Sequence, residues 1–531
     1  MLAMVAGCIV GTLAAVHAFR THEVEVGYAG SGDAKLNAIW SIVDRKYVDQ
    51  IEGDSVMDRV YAALLSTLDP HSVYLPREVL DRENESLMGR FEGVGVAIRV
   101  IRDSVCAYQV VPGGPSEKAG VLAGDRILSV NGLPLSGVSM TADSAVTLLR
   151  GPRKSTAALQ IMRPGERKPR QINVVRGVIH TPSIPYSGMI DKTTGYVRID
   201  RFSENTYDEF RTAVTALNEK GMKRLVLDLR DNGGGLMSAA QGICDELLPG
   251  REMIVYTEGA HQRREVSRSS NGGLFCRGEL IVLLNEFSAS ASEIVAGAVQ
   301  DNDRGVVMGR RSFGKGLVQQ QFPLSDGSAL QLTIARYYTP SGRCIQRPYD
   351  KGTDEYYSDF VSRIIDEQTA DSLLAAVTDS TPYHTSMGRT VYAGGGIMPD
   401  YIIRYKSDEN VVYYNKLLNK GIVGDYVFDY VSANGAAIRA SYATPEDFLS
   451  KYRVDDAMMQ QLFERAGKAG IARDDKCISR YREEIRARVK AHIGEMLYSS
   501  GLFYAVQLPF DPEVKEALSA APSLLKTITK N

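Results

Sequence analysis

Strand-type and helix-type segments alternate between residues 195 and 309, and this alternation limits the possible folds more than any other feature of the chain. Three apolar runs have the length of buried strands: residues 195–199, 224–229 and 280–284. The first is followed by an amphipathic helical pattern that stops at Gly221, and the second by a helical pattern over residues 236–247. Strands that alternate with helices predict an α/β core with largely parallel strands.

After the third strand the chain carries a serine-rich segment and then a lysine between glycines. The segment SASAS, residues 288–292, leads into a helical pattern, and the next apolar run leads to FGKG at residues 313–316. A serine where a strand passes into a helix can present its hydroxyl at the helix N-terminus, where unpaired N–H groups and the dipole favour developing negative charge. A lysine on the next loop could reach that hydroxyl. The pattern predicts a Ser/Lys nucleophile pair, although small Ser/Ala runs also serve as ordinary helix caps.

The spacing within this segment resembles that of the carboxyl-terminal processing peptidases, also called tail-specific proteases. In that family the middle serine of SASASEI is the nucleophile and the lysine of FGKG lies 25 positions later, the spacing that separates Ser290 from Lys315 here. The family also uses a glutamine four positions after the lysine, where this chain has Gln319. The resemblance therefore implies that Ser290, Lys315 and Gln319 are the catalytic residues.

The same resemblance implies a fold and an oxyanion hole. The implied architecture is an α/β multidomain protein with a crotonase/ClpP-like α/β protease core, an inserted PDZ domain, a helical N-terminal segment and a helical C-terminal extension. The segment DLRDNGGG matches the family phrase that supplies one backbone N–H of the oxyanion hole, which makes Gly235 the donor and Gly234 the second choice. The other implied donor is the N–H of Ala291. A phosphate-binding loop is excluded for this glycine run because the lysine and Ser/Thr of such a loop are absent.

Residues 91–175 differ in character and resemble a PDZ domain. A glycine-punctuated turn runs into an alternating strand, FEGVGVAI, and the phrases PGGPSEKAG and GDRILSVNG follow in the order usual for that domain. Glycines in the turn allow backbone N–H groups to converge on a carboxylate, and an exposed edge strand can pair with an extended peptide. The predicted substrate-binding residues are Gly93, Val94, Gly95 and Val96. The alternative is a spacer domain in which the glycines only serve the turn.

Helical patterns flank these modules. Residues 31–90 are predicted to be mostly helical, with a break at LDPHS, a phrase that also resembles the family. Because Asp-Pro sets a turn, His71 is predicted to be a turn residue rather than a catalytic base. Residues 406–531 show a long, charged helical pattern. Helices of this kind pack on a neighbour or pair subunits, which makes a homo-oligomer a hypothesis.

The protease core is expected over residues 176–405. Within it, residues 348–390 are polar and are predicted to form a mostly helical insertion. Alternating apolar residues after Lys315 predict a hairpin beside the site. The phrase VYAGGGIMPD, residues 391–400, resembles the late strand with which the family re-enters its core.

The first residues of the chain have the character of a targeting segment. Residues 1–19 are apolar and contain no acidic residue, lysine or arginine, as is typical of a signal peptide or a membrane anchor. The segment VHA at residues 16–18 fits the small-residue rule for signal cleavage. We therefore expect a bacterial protein that is exported, either periplasmic or anchored in the inner membrane and facing the periplasm. The alternative is a buried N-terminal helix.

Composition excludes several other classes of protein. A formal net charge of −2 over 531 residues gives no electrostatic case for a nucleic-acid partner. The six cysteines are scattered without a C-x-x-C pair, and the seven histidines show no H-E-x-x-H spacing. No metal and no cofactor is therefore expected. The cysteines could form disulfides in an oxidising compartment, but the sequence does not pair them.

The resemblance implies a serine endopeptidase that recognises protein C-terminal tails through its PDZ domain. Lys315 must be neutral to act as the base, and because an ordinary lysine pKa is about 10.4, burial must lower it. A neighbouring cation would lower it further, and Arg310 and Arg311 are close in sequence. The first alternative is a catalytically inactive exported PDZ adaptor on a protease scaffold. A penicillin-binding amidase is disfavoured because its serine and lysine share one helix in S-x-x-K.

Overall fold

The computed structural model describes residues 32–101, 104–135, 141–366, 379–404, 408 and 411–528. The chain divides into two compact units, Met1–Thr67 and Leu68–Asn531. In the first unit the described residues form two helices, α1 (Gly32–Lys46) and α2 (Gly53–Ser66), as the helical spacing of their apolar residues predicts. The expected targeting segment, residues 1–19, lies outside the described residues.

Of the residues that the structure describes, the second unit holds all the strands and the remaining α-helices. Its strands are β1 (Val73–Leu75), β2 (Arg90–Gly93), β3 (Val96–Ile101), β4 (Ser104–Val110), β5 (Arg126–Val130), β6 (Leu133–Pro134), β7 (Thr156–Met162), β8 (Arg170–Val175), β9 (Gly177–His180), β10 (Tyr186–Met189), β11 (Thr194–Arg198), β12 (Arg224–Asp228), β13 (Met253–Glu258), β14 (Glu265–Arg268), β15 (Glu279–Leu284), β16 (Val306–Gly309), β17 (Leu317–Pro323), β18 (Ala329–Tyr338), β19 (Asp379–His384), β20 (Thr390–Ala393) and β21 (Tyr401–Ile402). Its helices are α3 (Arg77–Met88), α4 (Pro115–Ala119), α5 (Ala142–Leu149), α6 (Thr206–Glu219), α7 (Met237–Leu247), α8 (Ala291–Asp301), α9 (Thr353–Asp366), α10 (Val412–Asn419), α11 (Ile422–Ser441), α12 (Pro445–Lys451), α13 (Asp456–Lys468), α14 (Asp475–Arg480), α15 (Arg482–Leu497), α16 (Ser500–Gln507) and α17 (Pro512–Ile528).

A six-stranded sheet lies at the centre of this unit, in the order β10-β11-β12-β15-β16-β21. Strand β10 is antiparallel to β11, and every other neighbouring pair in the sheet is parallel. The central strands read as continuous apolar runs because both faces of a parallel sheet are covered. Residues such as Leu227 and Val282 pack with helices α6, α7 and α8, whereas Ile281 and Leu283 face α17. The predicted α/β alternation is confirmed.

A second sheet supplies one wall of the site. Its order is β1-β18-β13-β14, and β17 pairs with β18 as the predicted hairpin. Because β17 has β18 as its only strand partner among the described residues, its other edge is open. The hairpin begins directly after Lys315, so it carries the residues that follow the lysine along that open edge.

The segment predicted to be a PDZ domain forms a separate small sheet inserted between α3 and the core. Its strands follow the order β3-β4-β5-β7-β8, with β6 paired to β5, and β3 lies at the edge. Helix α5 packs beside β3, since Ala145 and Leu149 share an apolar core with the partly buried Val96 and Ile98. The chain enters and leaves the domain through a two-stranded ribbon of β2 and β9.

The C-terminal region is helical, as predicted, and its apolar faces are covered within the same chain. Helices α10 to α16 build one core that includes Ile101, Cys106 and Tyr108 of the PDZ sheet. The Tyr108 hydroxyl donates to the Glu495 carboxylate at 2.9 Å. Helix α17 lies instead on the central sheet. Within the described ranges, no helix has both the length and the apolar character that crossing a membrane requires.

Two expectations about the late core require correction. The insertion of residues 348–390 contains helix α9, but its described second part is strand β19, which pairs with β20. The strand that joins the central sheet is β21, not residues 391–393. Three glycines with φ of 72°, 117° and 103°, residues 394–396, end β20 and turn the chain away before it pairs with β16. The described residues of the insertion, 348–366 and 379–390, therefore contain a helix and a strand of a hairpin.

Candidate active site

Ser290 stands at the turn between β15 and α8 in a rarely populated backbone conformation. Its φ is 56° and its ψ is −112°, outside the favoured regions for a residue with a side chain. The turn is held because the Ser290 N–H donates to the Glu293 carboxylate at 2.8 Å and the Ala289 N–H donates to the Asn232 carbonyl at 3.0 Å. A sharp strand-to-helix turn of this kind presents a serine hydroxyl outward at the helix N-terminus.

Glu293 joins this turn to the lysine loop. Its fully buried carboxylate accepts from the Ser290 N–H at 2.8 Å, the Ser312 hydroxyl at 2.5 Å, the Gly314 N–H at 2.7 Å and the Lys315 N–H at 2.9 Å. Burial raises the pKa of Glu293, while these hydrogen bonds act in the opposite direction. Sequence reasoning gave this residue no role. The Ser-x-x-Glu spacing of a capping box was the signal that could have found it.

Lys315 follows a glycine whose conformation the fold requires. Gly314 has a φ of 91°, and a Cβ at this position would lie 2.9 Å from backbone atoms of Gly395 and Gly396. The buried Tyr337 hydroxyl lies 2.7 Å from the Lys315 carbonyl oxygen and 3.2 Å from that of Ser290. The loop that carries the lysine is thus connected to the serine turn through Tyr337 as well as through Glu293.

The environment of the Lys315 amine favours its neutral form. Burial is the largest influence and lowers the pKa of Lys315 below its ordinary value. The carboxylates of Glu293, Asp69 and Glu83 act in the opposite direction without reversing this shift. Across the described residues, the amine makes no hydrogen bond or ion pair. Burial therefore shifts the pKa of Lys315 in the direction that a lysine base needs.

The expected contribution of a neighbouring cation is not found. Arg310 forms ion pairs with Glu286 at 2.8 Å and with Glu513 at 2.6 Å. The charged groups that influence the pKa of Lys315 are carboxylates, not arginines. Nearness in sequence was misleading because the guanidinium of Arg310 is directed toward α17 by an acid 203 positions later in the chain.

Five residues proposed from the sequence line one cavity of about 370 Å³: Ser290, Ala291, Lys315, Gln319 and Gly235. Side chains that the sequence did not point to also line it, namely Glu83 and Leu87 of α3, Met237, Ile294 and Tyr337. The hydroxyl, the amine, the amide and the two backbone donors thus share one enclosed space. Gly93, Val94, Gly95 and Val96 do not line this cavity.

Backbone hydrogen bonds around the cavity distinguish between Gly235 and Gly234, the two candidate donors for the oxyanion hole. The Gly234 N–H donates to the Asn232 side chain at 2.9 Å, so it is already used. Within the described parts of the chain, the N–H groups of Gly235 and Ala291 donate to no protein acceptor. Gly235 has a φ of 134°, and a Cβ there would lie 2.0 Å from the Phe202 carbonyl oxygen. The geometry leaves the first choice, Gly235, available.

Comparison with known proteins agrees with this arrangement. Residues 193–354 match the model of Peptidase family S41, and residues 107–163 match that of the PDZ domain. The chain is 38% identical over 319 residues to the carboxy-terminal-processing protease of Bartonella bacilliformis, covering 59% of this chain and 72% of that protein. It belongs to the carboxy-terminal-processing protease family, peptidase family S41. The predicted family and the predicted enzyme class, a serine protease, are therefore confirmed.

Other members of this protease family show the same extent of similarity. The carboxyl-terminal-processing protease of Synechocystis sp. is 34% identical over 319 residues, covering 58% of this chain and 73% of its own length. Among solved structures, the photosystem II D1 C-terminal processing protease is 30% identical over 60% of this chain and 90% of its own, with a TM-score of 0.34. Residues 413–499 match a family of unknown function.

His71 of this protease is a turn residue, as predicted, but it lies beside the lysine loop. Its ring packs against Phe313 and lies within 3.2 Å of the Tyr356 hydroxyl. Burial, followed by the charge of Lys315, lowers the pKa of His71 to about 4, although Asp69 acts in the opposite direction. The imidazole is therefore neutral at ordinary pH, and it does not line the cavity.

The predicted peptide-binding residues of the protease lie at the edge of the PDZ sheet. Val94 is buried, Gly95 has a φ of 77°, and Val96 begins the edge strand β3. A Cβ at Gly95 would lie 2.9 Å from Ile179, so the turn needs glycine for space as well as for its dihedral angle. β3 is the edge strand of this sheet and α5 packs beside it, an arrangement in which an extended peptide can add as a further strand.

Proposed function

We propose that this chain cleaves peptide bonds through an acyl-enzyme formed on Ser290. The Ser290 oxygen attacks the scissile carbonyl carbon while the neutral amine of Lys315 takes the hydroxyl proton. The same proton then passes to the departing amine as the C–N bond breaks. Water hydrolyses the ester in a second step, with Lys315 again acting as the base. The observation that supports this most is that Ser290 and a Lys315 whose pKa is lowered line one cavity.

The remaining residues of the cavity have supporting roles in this proposal. The N–H groups of Gly235 and Ala291 donate to the oxygen that becomes negative during attack, where the N-terminus of α8 adds a favourable field. During the reaction the Gln319 amide oxygen would accept an N–H of the Lys315 amine, which would direct the lone pair of the amine at the serine hydroxyl. No metal or cofactor takes part in any step.

We propose further that substrates are proteins or peptides bearing a free C-terminus. Their last residues would pair with the open edge of β3 beside α5, and their carboxylate would bind the backbone of Gly93, Val94, Gly95 and Val96. The scissile bond would then lie upstream of the bound tail. The PDZ domain also rests on the C-terminal helices, which favours a fixed rather than a freely tumbling position for the groove.

Mass spectrometry of digests tests both parts together. Purified protein is incubated with an unfolded protein and with a matched pair of peptides that differ only in a free or amidated C-terminus. We expect products from the free-tail substrates, fewer from the amidated peptide, and none with Ser290→Ala. Products that survive Ser290→Ala would reject the nucleophile, and equal cleavage of both peptides would reject tail recognition. A complete lack of products from the native chain would favour the inactive adaptor.

Export and assembly are separate proposals. We propose that residues 1–19 direct the chain to the periplasm or hold it in the inner membrane, on the basis of their apolar composition. N-terminal sequencing of the protein from a periplasmic fraction and from a membrane fraction distinguishes a cleaved signal from a retained anchor. A homo-oligomer remains a hypothesis, which light scattering of the purified chain tests.

A further inference from the structure

The LDPHS turn reaches the catalytic hairpin through the buried carboxylate of Asp69. This carboxylate accepts from the His71 N–H at 2.8 Å, the Ser72 N–H at 2.9 Å and the Ser72 hydroxyl at 2.5 Å. The Thr333 hydroxyl of β18 also donates to it, at 3.1 Å. The Ser72 hydroxyl, whose proton is used on Asp69, accepts the Thr333 N–H at 3.1 Å. Every donor is thus accounted for, and the turn is attached to β18 at Thr333.

Thr333 is the cross-strand partner of Gln319 on β17. A hydroxyl has one proton, and Thr333 gives it to a carboxylate, which only accepts. The Thr333 oxygen can therefore only accept from Gln319, and the Gln319 Nε2 lies 3.2 Å from it. This chain of hydrogen bonds determines which end of the amide faces Thr333, a choice that side-chain shape alone does not make.

We propose that Asp69 and Thr333 are positioning residues that hold the Gln319 amide with its oxygen toward Lys315. This inference rests on the proposed function. With the Gln319 nitrogen engaged by Thr333, the amide oxygen is left to accept an N–H of the Lys315 amine. In the reversed amide, an N–H would point at the lone pair with which Lys315 must take the serine proton. Thr333 is 14 positions from Gln319 in the chain. The direction in which its hydroxyl donates thus determines whether the Gln319 amide supports Lys315 as the base or blocks it.

The test compares Thr333→Val, which removes the hydroxyl at nearly constant shape, with Thr333→Ser, which retains it. Using a fluorogenic peptide with a free C-terminus, we expect Thr333→Val to lower kcat on the order of 10- to 100-fold with little change in KM. Thr333→Ser is expected to recover most of the loss. Equal kcat for native protein and Thr333→Val, in a preparation that Ser290→Ala inactivates, would overturn the inference while leaving the proposed function intact.

A double-mutant cycle separates positioning from a general loss of structure. Because Thr333 acts only through Gln319, Thr333→Val is expected to cost nothing further in a Gln319→Ala background. Additive losses would overturn the inference. If Thr333→Val does not fold by circular dichroism, Thr333→Ala takes its place, since it also removes the hydroxyl that accepts from Gln319. A folded Thr333→Ala with native kcat would also reject the proposal, and an inactive native chain would instead reject the proposed function.

Discussion

Ser290 and Lys315 donate their backbone N–H groups to the same carboxylate oxygen of Glu293, at 2.8 Å and 2.9 Å. The backbones of the proposed nucleophile and the proposed base are therefore held by one buried oxygen atom, although the two residues are 25 positions apart. A shift of either loop would break a hydrogen bond to a buried carboxylate. The loss of such a bond costs free energy. Glu293 thus determines the relative position of the Ser290 and Lys315 side chains.

Replacing Glu293 with glutamine should disturb both loops together. All four groups that meet this side chain are donors, so an amide NH₂ would face two of them and leave them unsatisfied. We expect a loss of about 3 kcal/mol in the free energy of unfolding and a fall in kcat of about 100-fold or more. Urea unfolding and peptide turnover measure the two effects. The exposed Glu219→Gln, which should change neither, is the control.

The rate should rise with pH because Lys315 must lose its proton to act. Burial lowers the pKa of Lys315, so the rising limb of kcat/KM against pH should lie below the ordinary lysine value of about 10.4. Lys315→Arg should be inactive throughout, since a guanidinium does not lose its proton in this range. A profile without any rising limb would contradict the assignment of Lys315 as the base.

Glu83 should influence the pH at which kcat/KM rises. Its carboxylate lines the cavity and acts to raise the pKa of Lys315. Glu83→Gln removes the negative charge, so the pKa of Lys315 should fall further and the rising limb should move to lower pH. Glu78→Gln, a change on the exposed face of the same helix, should leave the profile in place. A limb that moves to higher pH would show that Glu83 acts on another group.

Gly235→Ala should remove one backbone N–H donor from the proposed oxyanion hole. The added Cβ would lie 2.0 Å from the Phe202 carbonyl oxygen, and φ at this position is 134°. The backbone must shift, and we expect a loss in kcat on the order of 100-fold with a small change in KM. Gly467→Ala in α13 is the control, because a Cβ there meets nothing within 4 Å and the residue lies outside the cavity. A native kcat in a folded Gly235→Ala would contradict the assignment of its N–H as an oxyanion donor.

The elements that sequence patterns predicted are those whose cause is local. Helix α7 lies within one residue of its predicted bounds because its apolar residues follow a helical period, and β15 was expected because buried parallel strands are continuous apolar runs. The spacing of Ser290, Lys315 and Gln319 likewise lies within one segment. These three residues were assigned from the family resemblance, which rests on that spacing.

The parts that were missed depend on contacts between distant segments. Asp69 and Thr333 are 264 positions apart, and Arg310 is paired with an acid 203 positions away. Neither partnership follows from periodicity, because each depends on which loops the fold brings together. The hairpin of β19 and β20 was missed for a related reason. Its ladder pairs a strand with a segment that the family phrase had assigned to the central sheet.

The C-terminal helices have a practical consequence for handling this protein. They cover Ile101, Cys106 and Tyr108 of the PDZ sheet, and α17 covers Ile281 and Leu283 of the central sheet. A chain trimmed at about residue 405 would expose two apolar surfaces at once, one on the PDZ sheet and one on the central sheet. Such a fragment should collect in inclusion bodies, so the catalytic portion is best purified with its helical tail attached.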